Sequence, residues 1–328
     1  MMTWLNTVVK PNREIGTYDT HLQGYERYIR APLGQRQAKN LTVPRVQAWV
    51  NSLSPRLSAG TIWRARATLR AALNYGINTR LFAFNPAAHV EMPKNQSRKV
   101  VILDPDELVT LLDHTAGTFV WGALYHLTAM TGLRESEVRG LVWDDIDLVG
   151  ATIRLQRALK FSLATSSAAS RRRREWVYGA VKTQAGAATL DLTTDAVEAL
   201  RAHQVRQSER WAATGIQTEW TEQGLVFTTG AGNPLHQSNI GTTLRKHLSE
   251  CGLPRTSLHA LRHSYAALMV AADVNPKSIQ EAMRHASIKT TLDTYGHLIK
   301  AKQTERLERV SGVMHAARNR AAKAGTEL

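Results

Sequence analysis

Two imidazoles, a guanidinium and a phenol fall within 37 residues near the C-terminal end of the chain, at His259, Arg262, His285 and Tyr295. They lie in the stretch SLHALRHSYAALMVAADVNPKSIQEAMRHASIKTTLDTYGHL, Ser257 to Leu298, whose intervals are helix-like. A guanidinium offers a planar fork of N–H donors that matches phosphate oxygens. Imidazoles donate or shuttle protons near neutral pH. A phenol attacks phosphorus once its proton is removed or the developing charge is offset. Together these groups would grip a phosphate and attack it. The plainer alternative is a helical core with ordinary polar decoration, so the rest of the chain has to decide.

Charge points to the partner. The 42 Lys and Arg against 27 Asp and Glu give +15, an excess that implies a polyanion or a membrane surface. Residues 1–95 carry 13 basic and 4 acidic side chains, a net of +9, and the remaining 29 and 23 give +6. At 328 residues the chain has room for two domains, each with its own core. Cys251 is the single cysteine, which excludes an intrachain disulfide and a cysteine-based zinc cluster and suits a reducing cytosol. No apolar run approaches a membrane span, and no secretory signal opens the chain. No GxxxxGK[ST] stretch supports a nucleotide-driven motor. His259 and His263 have i, i+4 spacing, but HEXXH is absent and no third zinc ligand is evident. A soluble cytoplasmic protein that binds DNA or RNA is the expectation, with no membrane, metal or cofactor.

The elements that would position these residues follow from periodicity and punctuation. Trp4 and Leu5 suit a helix packed on the first domain. Helices are expected over 17–29, 43–53 and 58–79, the last with Ile62, Leu69, Leu73 and Ile77 as its core stripe. Arg64, Arg66 and Arg70 on that helix are candidate phosphate contacts, although a row of arginines is often only a solvated face. Met92 to Lys99 has the composition of a linker. The predicted division is therefore a helical domain over 1–95, a linker over 96–100 and a second domain over 101–328. Asp104-Pro105 opens the second domain as an N-cap with proline at the first helical position. A nearly all-apolar helix runs to Thr131, Gly132-Leu133-Arg134 breaks it, and a short helix resumes at Glu135. Residues 151–159, 176–181 and 189–192 alternate like strands and predict one three-stranded antiparallel sheet, with Lys182 on the turn between the last two. The connection Lys160 to Glu175 would be a mobile basic loop, with Arg171, Arg172, Arg173 and Arg174 as further DNA contacts. Helices resume over 193–211, 237–251, 257–273, 276–285 and 288–295.

Four signals now stand in order: TGLRESE with Arg134, VKTQAG with Lys182, HALRH with His259 and Arg262, and RHASIKTTLDTYGH with His285 and Tyr295. This order resembles the tyrosine recombinases, in particular the phage-type integrases, over about residues 17–300. The resemblance implies a mainly α fold with a small antiparallel β-sheet, in which a helical core-binding domain and a catalytic domain form a C-shaped clamp on duplex DNA. It implies site-specific cleavage and rejoining through a 3′-phosphotyrosyl intermediate, without metal or ATP, by a homotetramer that host DNA-bending or directionality factors could assist. Arg134 and Arg262 would bind the scissile phosphate, Tyr295 would attack it and Lys182 would protonate the departing 5′-oxygen. His259 and His285 would hydrogen-bond the phosphate or manage the nucleophile's proton. Glu137, on the same side of the helix as Arg134, would orient a basic neighbour. His126, His263 and His297 read as structural or supporting groups.

The chain departs from the family pattern in three places. Met283-Arg284-His285 stands where many members have Leu-Gly-His, adding a charge and forbidding a glycine-only backbone conformation. Asp273 replaces a common helix-end glycine, and Ala260 a frequent aspartate. With about 16 residues ahead of the first expected helix, no N-terminal arm-binding domain fits, which implies a simpler enzyme or a truncated chain. The rival readings are type IB topoisomerase-like relaxation and a non-catalytic DNA-binding regulator on the same scaffold.

Overall fold

The computed structural model describes residues 1–35, 37–94, 100–163, 174–180 and 188–301, with short helical pieces at 307–308, 311–312, 314–315 and 318. Lys182, Arg171, Arg172 and Arg173 lie outside the described residues, and of Arg174 only the backbone, opening a strand, is described. The chain divides into two compact units, Met1–Lys99 with Phe161–Trp176, and Val100–Lys160 with Val177–Leu328.

The first unit is built on helices. Residues 2–12 are helical throughout, with a π-helical middle at Leu5–Val9, and contain the helix expected at Trp4 and Leu5. Trp4, Leu5 and Val9 are buried there with Leu22. Residues 15–33 form a second continuous helical run, followed by Val43–Leu53 and Ala59–Asn78. Ser58 caps the longest helix by accepting from the Thr61 N–H. Ile62, Leu69 and Leu73 are buried in a cluster with Val46, Trp49 and Val50, the stripe that periodicity marks as core.

The second unit is organised around Trp121–Thr131, which is apolar on nearly every side and buried at most positions because helices pack on several of its faces. Pro105–Thr115, Thr194–Thr214 and Leu258–Ala271 all pack against it. Asp104 and Glu107 form a reciprocal capping box that fixes the first of these. Four helices follow up to Ala301: Gln237–Glu250, Leu258–Ala271, Pro276–Ala282 and Ile288–Ala301. Ser257 and Asn275 cap the second and third of them through their side chains.

The strands correct the expectation of a single three-stranded sheet. β1 (Ile146–Asp147), β2 (Thr152–Leu155) and β5 (Ala188–Asp191) make one antiparallel sheet with β2 central, while β3 (Arg157–Leu163) and β4 (Arg174–Ala180) make a separate two-stranded sheet. Register runs from Thr152 opposite Asp191 to Leu155 opposite Ala188. The alternation from Ala151 onward conceals the break. Ile153 and Leu155 are buried with exposed neighbours, but Ala158 and Leu159 are buried in succession, so the parity of a single strand fails. The fold is thus mainly α with small sheets. Among the described residues no helix is long and apolar enough to cross a membrane.

Candidate active site

Gly132 ends the central helix in the left-handed conformation (φ 61°), and the chain turns so that Arg134 becomes the N-cap of Glu135–Arg139. The capping partner is Glu137. One of its oxygens, Oε2, accepts the Arg134 main-chain N–H at 2.8 Å, and Oε1 accepts Nη1 of the Arg134 guanidinium at 2.6 Å. Arg134 Nη2 donates to the Arg284 carbonyl at 2.8 Å. Two of its five N–H donors are therefore committed among the described residues.

Arg262 arrives from the Leu258–Ala271 helix and is only 2% exposed. Its Nη1 donates to the Gly132 carbonyl and its Nη2 to the Met283 carbonyl. Consecutive carbonyls, at Met283 and Arg284, thus receive one guanidinium each and set their spacing. Burial, then the charges of Arg134 and Arg284, lower the Arg262 pKa to about 9, which leaves it cationic at neutral pH. Glu137 is 1% exposed. Burial alone would raise its pKa, but the attraction of Arg284 and the bonds from Arg134 hold it below the ordinary value.

Tyr295, on the Ile288–Ala301 helix, is 0% exposed, packed with Ala266, Val270, Ile279 and Met283. Its hydroxyl lies 2.6 Å from Nδ1 of His263. Burial raises its pKa to about 12, against the opposing pull of Arg262, so the phenol is protonated at neutral pH. The His263 ring stands 4.9 Å, edge to face, from that of His259. Burial, then His259 and Arg262, lower the His263 pKa to about 4. His285 falls to about 4 as well, through burial and then Arg262 and Arg134, and its Nδ1 pairs with the Thr291 hydroxyl at 2.9 Å. His259 is the most exposed of the three, and its pKa is lowered by partial burial, then by Arg262 and Arg134. The neutral imidazoles are hydrogen-bonding groups, and the arginines supply the positive charge.

The arrangement is a set of anchored cations beside a protonated phenol that is bonded to a neutral imidazole. Chains of known kind share its sequence and its fold. The model of the phage integrase family matches residues 102–302. The chain belongs to the phage integrase family.

Among relatives of this integrase-family chain is a "tyrosine recombinase XerC-like" protein of Caldanaerobacter subterraneus subsp. tengcongensis, 28% identical over 94% of this chain and 81% of that protein. The tyrosine recombinase XerD of Halalkalibacterium halodurans is 25% identical over 90% of each. The Tn1549 transposon integrase, solved in complex with transposon right end DNA, superposes with a TM-score of 0.73 at 21% identity, over 94% of this chain and 98% of that one. A lambda integrase dimer bound to a COC′ core site gives 0.61 at 16% identity, over 90% and 94%. These two likenesses are of fold.

Five of the expected residues, Arg134, His259, Arg262, His285 and Tyr295, gather around one place with Glu137 beneath them. His263, expected as a structural or supporting group, touches the hydroxyl of Tyr295. Its spacing from His259, one helical turn, was the available signal. Arg284 was expected to forbid a glycine-type backbone, yet it adopts one, with φ 51°, and Asp273 does the same with φ 59°. Buried acceptors hold the Arg284 side chain and offset the backbone cost. In the first unit, Arg64 and Arg70 are exposed, whereas Arg66 is part-buried and donates to the Ala88 carbonyl at 3.1 Å.

Proposed function

We propose that this chain is a site-specific DNA recombinase that cuts and rejoins strands through a 3′-phosphotyrosyl bond on Tyr295. The observation that carries this reading is the pairing of two guanidiniums, each tied down by two acceptors among the described residues, with a tyrosine whose hydroxyl is already bonded to an imidazole. In the forward step the Tyr295 oxygen bonds to phosphorus and the bond from phosphorus to the 5′-oxygen breaks. The phenolic proton passes to His263 Nδ1, and the 5′-oxygen takes a proton from Lys182, which lies outside the described residues. One phosphate ester replaces another, so the reverse attack by a 5′-hydroxyl rejoins the strand without an energy source. Arg134 and Arg262 offset the charge that grows on the non-bridging oxygens. His259 and His285, neutral at working pH, donate or accept hydrogen bonds at that phosphate.

The substrate is duplex DNA. The net charge of +15 supports this, as do the DNA complexes of the Tn1549 and lambda integrases. A helical domain over 1–95 and a catalytic domain over 101–328, four protomers on two sites, host bending or directionality factors and a cytoplasmic setting complete the reading.

The test is a pool of nicked duplexes of random sequence, from which a cleaved strand leaves with protein attached. The wild-type chain should give an adduct that survives denaturant, and Tyr295→Phe should give none. An adduct formed by Tyr295→Phe would remove the assignment of the nucleophile. Plasmid relaxation without recombinant products would replace recombination by topoisomerase activity.

A further inference from the structure

The turn at Met283–His285 contains a residue that the reaction as described does not use. Arg284 is 3% exposed, in a left-handed backbone that side chains disfavour. Its Nη2 donates to Glu137 Oε2 at 2.8 Å and approaches the Gly132 carbonyl at 3.4 Å, and its Nη1 reaches the Ala282 carbonyl at 3.3 Å. Its Nε is buried without a hydrogen-bond partner among the described residues. A glycine would fit this backbone freely and would bury no charge. Stability alone therefore gives little reason for an arginine here.

We propose that Arg284 is a positioning residue for strand cleavage, holding the Arg134 guanidinium in register for the scissile phosphate. It acts at two points. Its carbonyl receives Arg134 Nη2, and the placement of that carbonyl depends on the left-handed turn. Its guanidinium, together with the Arg134 main-chain N–H, occupies Oε2 of Glu137, which leaves Oε1 aimed at Arg134 Nη1. With a glycine at this position Oε2 would keep only the main-chain donor, and the carboxylate could rotate away from the guanidinium it orients. Arg134 and Arg284 share one carboxylate, and Arg262 and Arg284 share the Gly132 carbonyl. Arg284 thereby links the two arginines that face the phosphate.

This inference rests on the proposed reaction at Tyr295, and its test separates the two. Arg284→Gly and Arg284→Lys are compared with the wild-type chain in two measurements. The first, without DNA, follows the ¹⁵N relaxation of the Arg134 Nε–H group. The second is the single-turnover rate of adduct formation on a saturating nicked duplex, taken from the random-sequence pool that the wild-type chain cleaves. The expected result for Arg284→Gly is a more mobile Arg134 and a cleavage rate lower by about 10- to 100-fold, with DNA affinity retained. Lysine, which restores a cation to Glu137 without the fork, should recover part of both. A folded Arg284→Gly chain with Arg134 as rigid as in wild type overturns the inference, whether or not any duplex is cleaved. So does a loss of DNA affinity at unchanged cleavage rate, which would make Arg284 a source of charge only. Should the glycine variant fail to fold, wild-type Arg134 order and rate in Arg284→Lys would overturn it equally. A wild-type chain that captures no duplex from the pool defeats the reaction at Tyr295, while the relaxation measurement still decides the role of Arg284.

Discussion

Glu137 offers two oxygens to two guanidiniums, and both oxygens are taken. Glu137→Gln would leave Arg284 buried beside a neutral amide, and breaking a buried pair from one side costs about 3–5 kcal/mol. Denaturant unfolding should show a loss of this size. The pH dependence follows from the same bonds. The folded carboxylate is held below its ordinary value of 4.5, so its stabilisation is complete above that pH and fades as pH falls beneath it. Wild-type stability should therefore drop more steeply below pH 4.5 than that of Glu137→Gln. The imidazoles act over a higher window. His263 and His285 sit at about 4 against an ordinary 6.5, so their neutral forms favour folding above 6.5 and that contribution disappears as pH falls toward 4. Replacing either by asparagine should flatten the fall in melting temperature between those two values.

At the scale of elements, Gly132 joins the central helix to the site. A Cβ placed there would lie 2.7 Å from Cδ1 of Tyr265, and the backbone is already left-handed. Gly132→Ala should cost about 1–3 kcal/mol and displace the carbonyl that anchors Arg262, so adduct formation should be lost in a chain that still melts cooperatively. Much of this architecture was legible beforehand because helix ends announce themselves locally. Asp104-Pro105 announces an N-cap, which the structure completes with Glu107 as a capping box, and Ser58 and Ser257 cap the helices that their sequences open. The strands were less legible. Which edge of β2 is paired depends on residues 188–191, more than thirty positions away, and alternation within one segment contains no information about that partner. Arg134, His259, Arg262, His285 and Tyr295, which the structure gathers, were legible through type and order. The link of Arg134 to Arg284 was not, because a bond spanning 150 residues leaves no periodic trace.

For the whole molecule the issue is which of its many cations meet DNA. Arg64 and Arg70 are exposed, whereas Arg66 spends its guanidinium on Ala88. Replacing Arg64 and Arg70 by alanine should weaken DNA binding and reduce the salt dependence of log K by about 0.9 for each phosphate no longer neutralised. Arg66→Ala should instead lower thermal stability and leave that slope intact. Binding titrations across a range of salt, set beside melting curves, distinguish the two outcomes.

If the proposed reaction at Tyr295 holds, the protein bonds itself to DNA and spends its life next to DNA that it must leave unmarked. Tyr295 at 0% exposure, with its hydroxyl bonded to His263, cannot reach a passing phosphodiester unless its surroundings open. Fidelity then has two stages. Recognition of the right sequence must both hold the DNA and release the phenol, so a weak, transient encounter elsewhere ends before any covalent scar forms. Tyr295 in the free chain should likewise resist nitration by tetranitromethane, and become reactive on the DNA that the chain cleaves.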